Sequence, residues 1–133
     1  MTSVVGDTHA LIWYLLDDPL LSVAAGDAFD QATAMGRRIY LPSICVVEAT
    51  YLVEKGRIPE HALLAFDSVI SNPDSPIRLI ELTFAIAKAL RDVSRKSVPD
   101  MPDRIIAATA LALGLPLITR DAKIRASNIH TIW

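Results

Sequence analysis

The stretch Asp103-Arg104-Ile105-Ile106-Ala107-Ala108-Thr109-Ala110-Leu111-Ala112-Leu113-Gly114-Leu115-Pro116-Leu117-Ile118-Thr119-Arg120-Asp121 reads as a helix, a stop and a strand in direct succession. Residues 103–113 are almost wholly apolar beyond the first turn, which predicts a helix buried on most of its sides. Gly114 supplies the left-handed residue that ends a helix. Leu117-Ile118-Thr119 is a short apolar run with β character, and it is followed at once by Arg120 and an acid. A buried helix feeding a buried strand is half of a parallel β-α-β unit, whose strands are covered on both faces.

The same alternation extends outward in both directions. Ser3-Val4-Val5-Gly6 predicts a first strand, and residues 8–17 a helix with Leu11, Ile12, Leu15 and Leu16 on one side, broken by Asp18-Pro19. Ser22 caps a second helix running to about Met35, with Gly36 as its stop. Ile39-Tyr40-Leu41 is a second strand. A helix from Pro42-Ser43 through Lys55 follows, then one from Pro59 to about Ile70. Residues 77–82 alternate apolar and polar side chains as a half-exposed third strand does, and Thr83 caps a helix to about Val93. Residues 94–102, with Pro99 and Pro102, read as loop. Residues 129–132 form a fifth strand after one short helical turn. The class is α/β, and residues 1–133 are expected to form a single domain, since the Asn72-Pro73-Asp74-Ser75-Pro76 turn is too short to be a linker.

Composition narrows the classes. With 52% hydrophobic and 21% charged residues, the chain can bury a core and is not disordered. Its mean hydropathy of +0.37 implies a largely buried core together with apolar surface that a partner covers. A net charge of −2 gives no overall attraction for nucleic acid, so any such contact must be local. The single Cys45 lies in an apolar run and is expected to be a buried thiol, in keeping with a reducing cytoplasm. No targeting segment is visible. The uncharged run 105–119 is too short for a membrane span, so a cytoplasmic protein is expected.

Four acids stand where carboxylates are locally awkward: Asp7, Glu48, Asp103 and Asp121. Burying such groups without a partner costs several kcal/mol or more. In open parallel sheets, sites gather beyond the carboxyl ends of the strands. Asp7 lies one residue past the first strand and Asp121 two past the fourth. Glu48 is in the early turns of the helix after the second strand, and Asp103 starts the helix that returns to the fourth. All four are therefore expected at one edge. Capping and helix-dipole roles are open to Asp7, Asp103 and Asp121. They do not account for Glu48, whose helical neighbours Ile44, Cys45, Tyr51 and Leu52 are apolar. Oxygen-only ligands select a hard cation, Mg²⁺ or Mn²⁺, which suits phosphodiester hydrolysis. His9, His61 and His130 are scattered and offer no zinc cluster; His9 is expected to pack or cap.

At these residues the chain resembles a known family. Asp7-Thr8-His9-Ala10-Leu11-Ile12-Trp13, Pro42-Ser43 through Glu48 with Gly56-Arg57-Ile58, Pro102-Asp103-Arg104-Ile105-Ile106-Ala107-Ala108-Thr109-Ala110, and Leu115-Pro116-Leu117-Ile118-Thr119-Arg120-Asp121 resemble, in order, the motifs of PIN-domain ribonucleases of the VapC toxin type. Thr131-Ile132-Trp133 also fits. The resemblance implies a PIN-like three-layer fold with a five-stranded parallel sheet flanked by helices. It implies an Mg²⁺- or Mn²⁺-dependent endoribonuclease with Asp7, Glu48, Asp103 and Asp121 as metal-binding, catalytic acids. It further implies a homodimer neutralised by a cognate antitoxin. Asp100 is extra to the four-acid pattern and reads as a cap or a support behind the site.

Two basic groups are candidates for holding RNA through its phosphates: Arg91, Arg95 and Lys96 before Asp103, and Arg120, Lys123 and Arg125 around Asp121. Arg120, Lys123, Arg95 and Lys96 are the residues taken as RNA contacts. Arg104 is expected to pair with a neighbouring acid. Phe29, Leu63, Leu64, Phe66 and Val69 are core candidates, some of which could instead line an antitoxin groove. Three other readings stand beside the toxin: an inactive RNA- or protein-binding module, a housekeeping nuclease without antitoxin, and a phosphatase or receiver domain. The last calls for a late-strand Lys, where this chain has Thr119-Arg120.

Overall fold

A computed structural model describes residues 2–133. Its centre is a five-stranded sheet in the order β3-β2-β1-β4-β5, with every pairing parallel. The strands are β1 (Val4–Gly6), β2 (Ile39–Pro42), β3 (Ile77–Ile80), β4 (Leu117–Ile118) and β5 (Thr131–Ile132). The helices are α1 (Thr8–Leu15), α2 (Val23–Ala34), α3 (Ser43–Glu54), α4 (His61–Ser71), α5 (Phe84–Ala89), α6 (Met101–Leu113) and α7 (Ala122–Arg125). The α/β expectation and the five-stranded parallel sheet are both borne out.

Strand order places the site. From β1 the chain moves outward to β2 and β3, then crosses back to lay β4 on the other side of β1. The carboxyl ends of β1 and β4 thus flank the point where the winding reverses, the usual crevice for ligands in open parallel sheets. The last rung between them is the Asp7 N–H donating to the Ile118 carbonyl at 3.1 Å.

Several strands are shorter than their sequence patterns, for reasons that lie in their partners. β3 continues as an apolar-polar pattern to Leu82, but its register ends with Pro42 opposite Ile80, and proline has no N–H to extend the ladder. β5 starts at Thr131 and not at Ile129 because β4 starts at Leu117, after Pro116. The residue before that proline, Leu115, lies just beyond α6 and closes its end, its N–H donating to the Ala110 carbonyl at 3.0 Å. Gly114 makes that ending possible, with φ of +65°.

The core joins the strands to the inner faces of the helices. Val5, Ile39, Leu41, Leu117 and Ile118 are wholly enclosed, as are Leu11, Phe29, Phe66 and Ile124. Cys45 is fully buried as expected, its thiol 3.9 Å from the Gly6 carbonyl. Burial pushes that thiol well above its usual pKa, so it is a packing group and not a nucleophile. Phe29 and Phe66 belong to the core, but Leu64 is 60% exposed. No helix is long and apolar enough to cross a membrane among the described residues.

The expected helix from Thr83 to Val93 tightens early. α5 stops at Ala89 and a 3₁₀ turn covers Leu90–Asp92. Arg104 accounts for the carbonyls this leaves open. The expectation that it pairs with an acid fails. Its guanidinium donates to the carbonyls of Val93 (2.9 Å) and Leu90 (3.0 Å), tying α6 to the end of α5. α6 itself begins at Met101, so Met101 and Pro102 are helix and not loop.

Candidate active site

Asp7, Glu48, Asp103 and Asp121 line one cavity of about 160 Å³, together with Thr8, His9, Trp13, Ile106 and Arg120. Each acid arrives there through its local fold. Asp7 is the N-cap of α1: its Oδ1 accepts the Ala10 N–H at 2.8 Å. Its Oδ2 accepts the hydroxyl proton of Thr119. Asp121 is the N-cap of α7, with Oδ1 accepting from the N–H groups of Lys123 (2.9 Å) and Ile124 (3.0 Å). Capping and site membership are therefore not alternatives for these two residues. One oxygen of each carboxylate holds a helix start, and the side chain still faces the cavity.

Glu48 projects from the second turn of α3, and the Thr8 hydroxyl donates to its Oε1 at 2.5 Å. Of its apolar helical neighbours only Cys45 is fully buried, while Ile44 and Leu52 are partly exposed. Tyr51 is 59% exposed and Val47 49% exposed, so the apolar face of α3 is surface that borders the acidic cavity. Asp103 lies in the first turn of α6. Asp100 occupies the N-cap position of that helix, yet its side chain makes no capping hydrogen bond.

The electrostatics record how closely the acids crowd. Burial first, then the charges of Asp121, Glu48, Asp100 and Asp7, push the Asp103 carboxyl up to about 7. Burial also raises Asp7, against the pull of Thr119 and Ala10. Carboxylates that raise one another's pKa in a partly desolvated cavity call for a positive charge. Among the described residues, no three His, Cys, Asp or Glu side chains converge tightly enough to grip an ion by themselves. The donor set still fits Mg²⁺ or Mn²⁺: it is all oxygen, and Mg²⁺ keeps several waters and uses one or two carboxylates.

Of the basic residues singled out in the sequence, only Arg120 lines the cavity. Its guanidinium carbon lies 4.6 Å from the centroid of Trp13. Lys123, Arg95 and Lys96 are exposed and lie outside the cavity lining. His9 packs its ring 5.5 Å from Trp13, as expected of a packing histidine, and borders the cavity while doing so. Sequence reasoning missed the lining residues Thr8, Trp13 and Ile106, and Thr119, which stands behind the cavity and bonds Asp7 and Asp121. The signal for the two threonines was their position: Thr8 directly follows Asp7, and Thr119 stands two residues before Asp121.

The PIN domain family model matches residues 4–128. The chain belongs to the PIN domain family. This PIN domain is 28% identical, over 137 aligned residues covering all of both chains, to Ribonuclease VapC22 of Mycobacterium tuberculosis. Its fold matches that of solved complexes. Against the crystal structure of VapBC2 from Rickettsia felis bound to a DNA fragment from their promoter, the TM-score is 0.69 at 15% identity, covering 98% of this chain and 97% of the other. Against DNA-bound VapBC from Salmonella typhimurium it is 0.69 at 22% identity, with the same coverage. At those identities the likeness speaks for the PIN fold.

Proposed function

We propose that this PIN domain is a metal-dependent endoribonuclease, and that it acts as the toxin of a VapBC-type toxin–antitoxin pair. The observation that carries the reading is the crowding of Asp7, Glu48, Asp103 and Asp121 around one cavity, felt at Asp103 as a pKa pushed up to about 7. Whole-length similarity to a protein named as a ribonuclease supports it.

Asp7, Glu48, Asp103 and Asp121 are the residues that would hold Mg²⁺ or Mn²⁺. When bound, such an ion supplies Lewis acidity toward water and phosphate. The chain's own groups supply the rest. Thr119 fixes Asp7 and Thr8 fixes Glu48, so two of the acids keep their orientation without substrate. The α1 and α7 starts hold Asp7 and Asp121 on rigid elements. Arg120 offers a positive contact for the RNA backbone at the cavity, with Lys123, Arg95 and Lys96 as outlying contacts along a longer strand. The intact acid set argues against an inactive binding module.

The partners in this proposal are RNA, a cognate antitoxin and a second copy of the chain. Both protein partners need apolar surface to cover. Ile44, Val47, Tyr51, Leu52, Met101 and Pro102 provide it in a groove of about 270 Å³ that shares Glu48 with the acidic cavity. A cytoplasmic site of action and a single domain over residues 1–133 complete the reading.

Asp7→Asn and Asp103→Asn should each abolish cleavage of an RNA substrate while the circular dichroism spectrum stays that of the parent. Full activity in both variants, with contaminating nuclease removed, would refute the assignment.

A further inference from the structure

Arg120 is a cation at the rim of an acidic cavity, and it does not collapse onto the acids. Among the described residues its side chain makes no hydrogen bond or ion pair; it lies over the Trp13 ring at 4.6 Å. A guanidinium held over an aromatic ring by cation–π attraction need not spend its N–H groups on that contact. The contact therefore holds the charge in place and leaves its donor edge open. Trp13 is well fixed for this task. It is only 7% exposed, and its ring packs against His9 at 5.5 Å and Trp133 at 6.0 Å. It also lies on α1, the helix that Asp7 caps, so the platform and one acid share a rigid element.

Building on the ribonuclease reading, we propose that Trp13 is a positioning residue that holds Arg120 as a bidentate clamp for a phosphate of the bound RNA strand at the mouth of the acidic cavity. A phosphodiester approaching four carboxylates meets repulsion, and a cation held off those carboxylates gives it an entry point. Stacking on Trp13 prevents the competing outcome, an Arg–carboxylate pair that would silence both partners.

Steady-state cleavage of a fluorescein-labelled single-stranded RNA oligonucleotide with Mn²⁺, at several salt concentrations, tests this. Arg120→Ala should raise KM about tenfold, with a smaller change in kcat, as loss of a charged hydrogen-bonding contact does. It should also make the salt dependence of binding shallower by about 0.7 in logarithmic slope, the value for one single-strand phosphate contact. Trp13→Leu should reproduce both effects, and the double variant should show no further loss. If Trp13→Leu does not fold, Trp13→Phe takes its place. With Arg120 intact, that variant should raise KM about threefold; combined with Arg120→Ala, it should add nothing. An Arg120→Ala variant with unaltered KM and salt slope overturns the proposal, as do Trp13 and Arg120 losses that simply add. In either case a parent chain that still cleaves RNA leaves the ribonuclease reading standing. A parent chain that fails to cleave overturns both.

Discussion

Thr119 gives its one hydroxyl proton to Asp7 and takes the Asp121 N–H at 3.0 Å, so a single fully buried side chain fixes the surroundings of two acids. Thr119→Val keeps the shape and removes both interactions. It leaves a buried carboxylate oxygen and a backbone N–H without their partner, which should cost about 1–3 kcal/mol of stability. Activity should fall about 10–100-fold, as it does when a group that orients a ligating carboxylate is lost. Denaturant melts and RNA cleavage on the same preparation check both; a variant matching the parent in both would remove Thr119 from the site. The acids themselves were legible in the sequence because a carboxylate in an apolar stretch is locally anomalous. The threonines were not, because Ser and Thr are commonplace beside a helix start. Only the β1–β4 pairing, which brings positions 7 and 119 together, gives Thr119 its role.

Among the elements, the junction of β1 and α1 is tightly packed. A Cβ on Gly6 would stand 2.5 Å from Leu11 Cγ, and Leu11 is fully buried under the helix. Gly6→Ala therefore has to drive the Leu11 side chain from its place, by a strained rotamer or an outward shift of α1, with an overpacking cost of about 1–3 kcal/mol. Because Asp7 is both the next residue and the cap of α1, strain at this junction is passed to a site acid. Activity should fall further than the loss of folded fraction explains, which a melt and a cleavage assay at a temperature well below the transition would separate; a stable, fully active variant would contradict this packing. The order and type of the strands and helices were readable from apolar periodicity and from the Gly and Pro stops. The ends of β3 and β5 were not, because each is set by a proline in or beside its partner strand. The face of α3 misled for a similar reason. An apolar stripe shows that a face avoids water, and it does not say whether the cover is the chain's own core or a partner.

For the molecule as a whole, the clustered acids are a cost that the rest of the fold carries. Asp103 moves from 3.8 to about 7 on folding, so the folded chain retains a proton that the unfolded chain has released in that interval. The folded state binds more protons there, and stability should fall as pH rises from about 4 to about 7. On the proposed metal-dependent reading, a divalent cation would take the place of that proton. Mn²⁺ should accordingly raise the melting temperature more at about pH 8 than at about pH 5, where it competes with the proton. Equal shifts at the two pH values would mean that the ion binds elsewhere.

Metal-dependent RNA cleavage is decided by incubating an end-labelled RNA with the purified chain, free of any partner, before and after chelation. Internal cleavage is expected with Mg²⁺ or Mn²⁺, with complete loss in EDTA and return when Mn²⁺ is added in excess. Cleavage that persists in EDTA, or that survives Asp7→Asn with the ion present, would contradict a metal-dependent acidic centre.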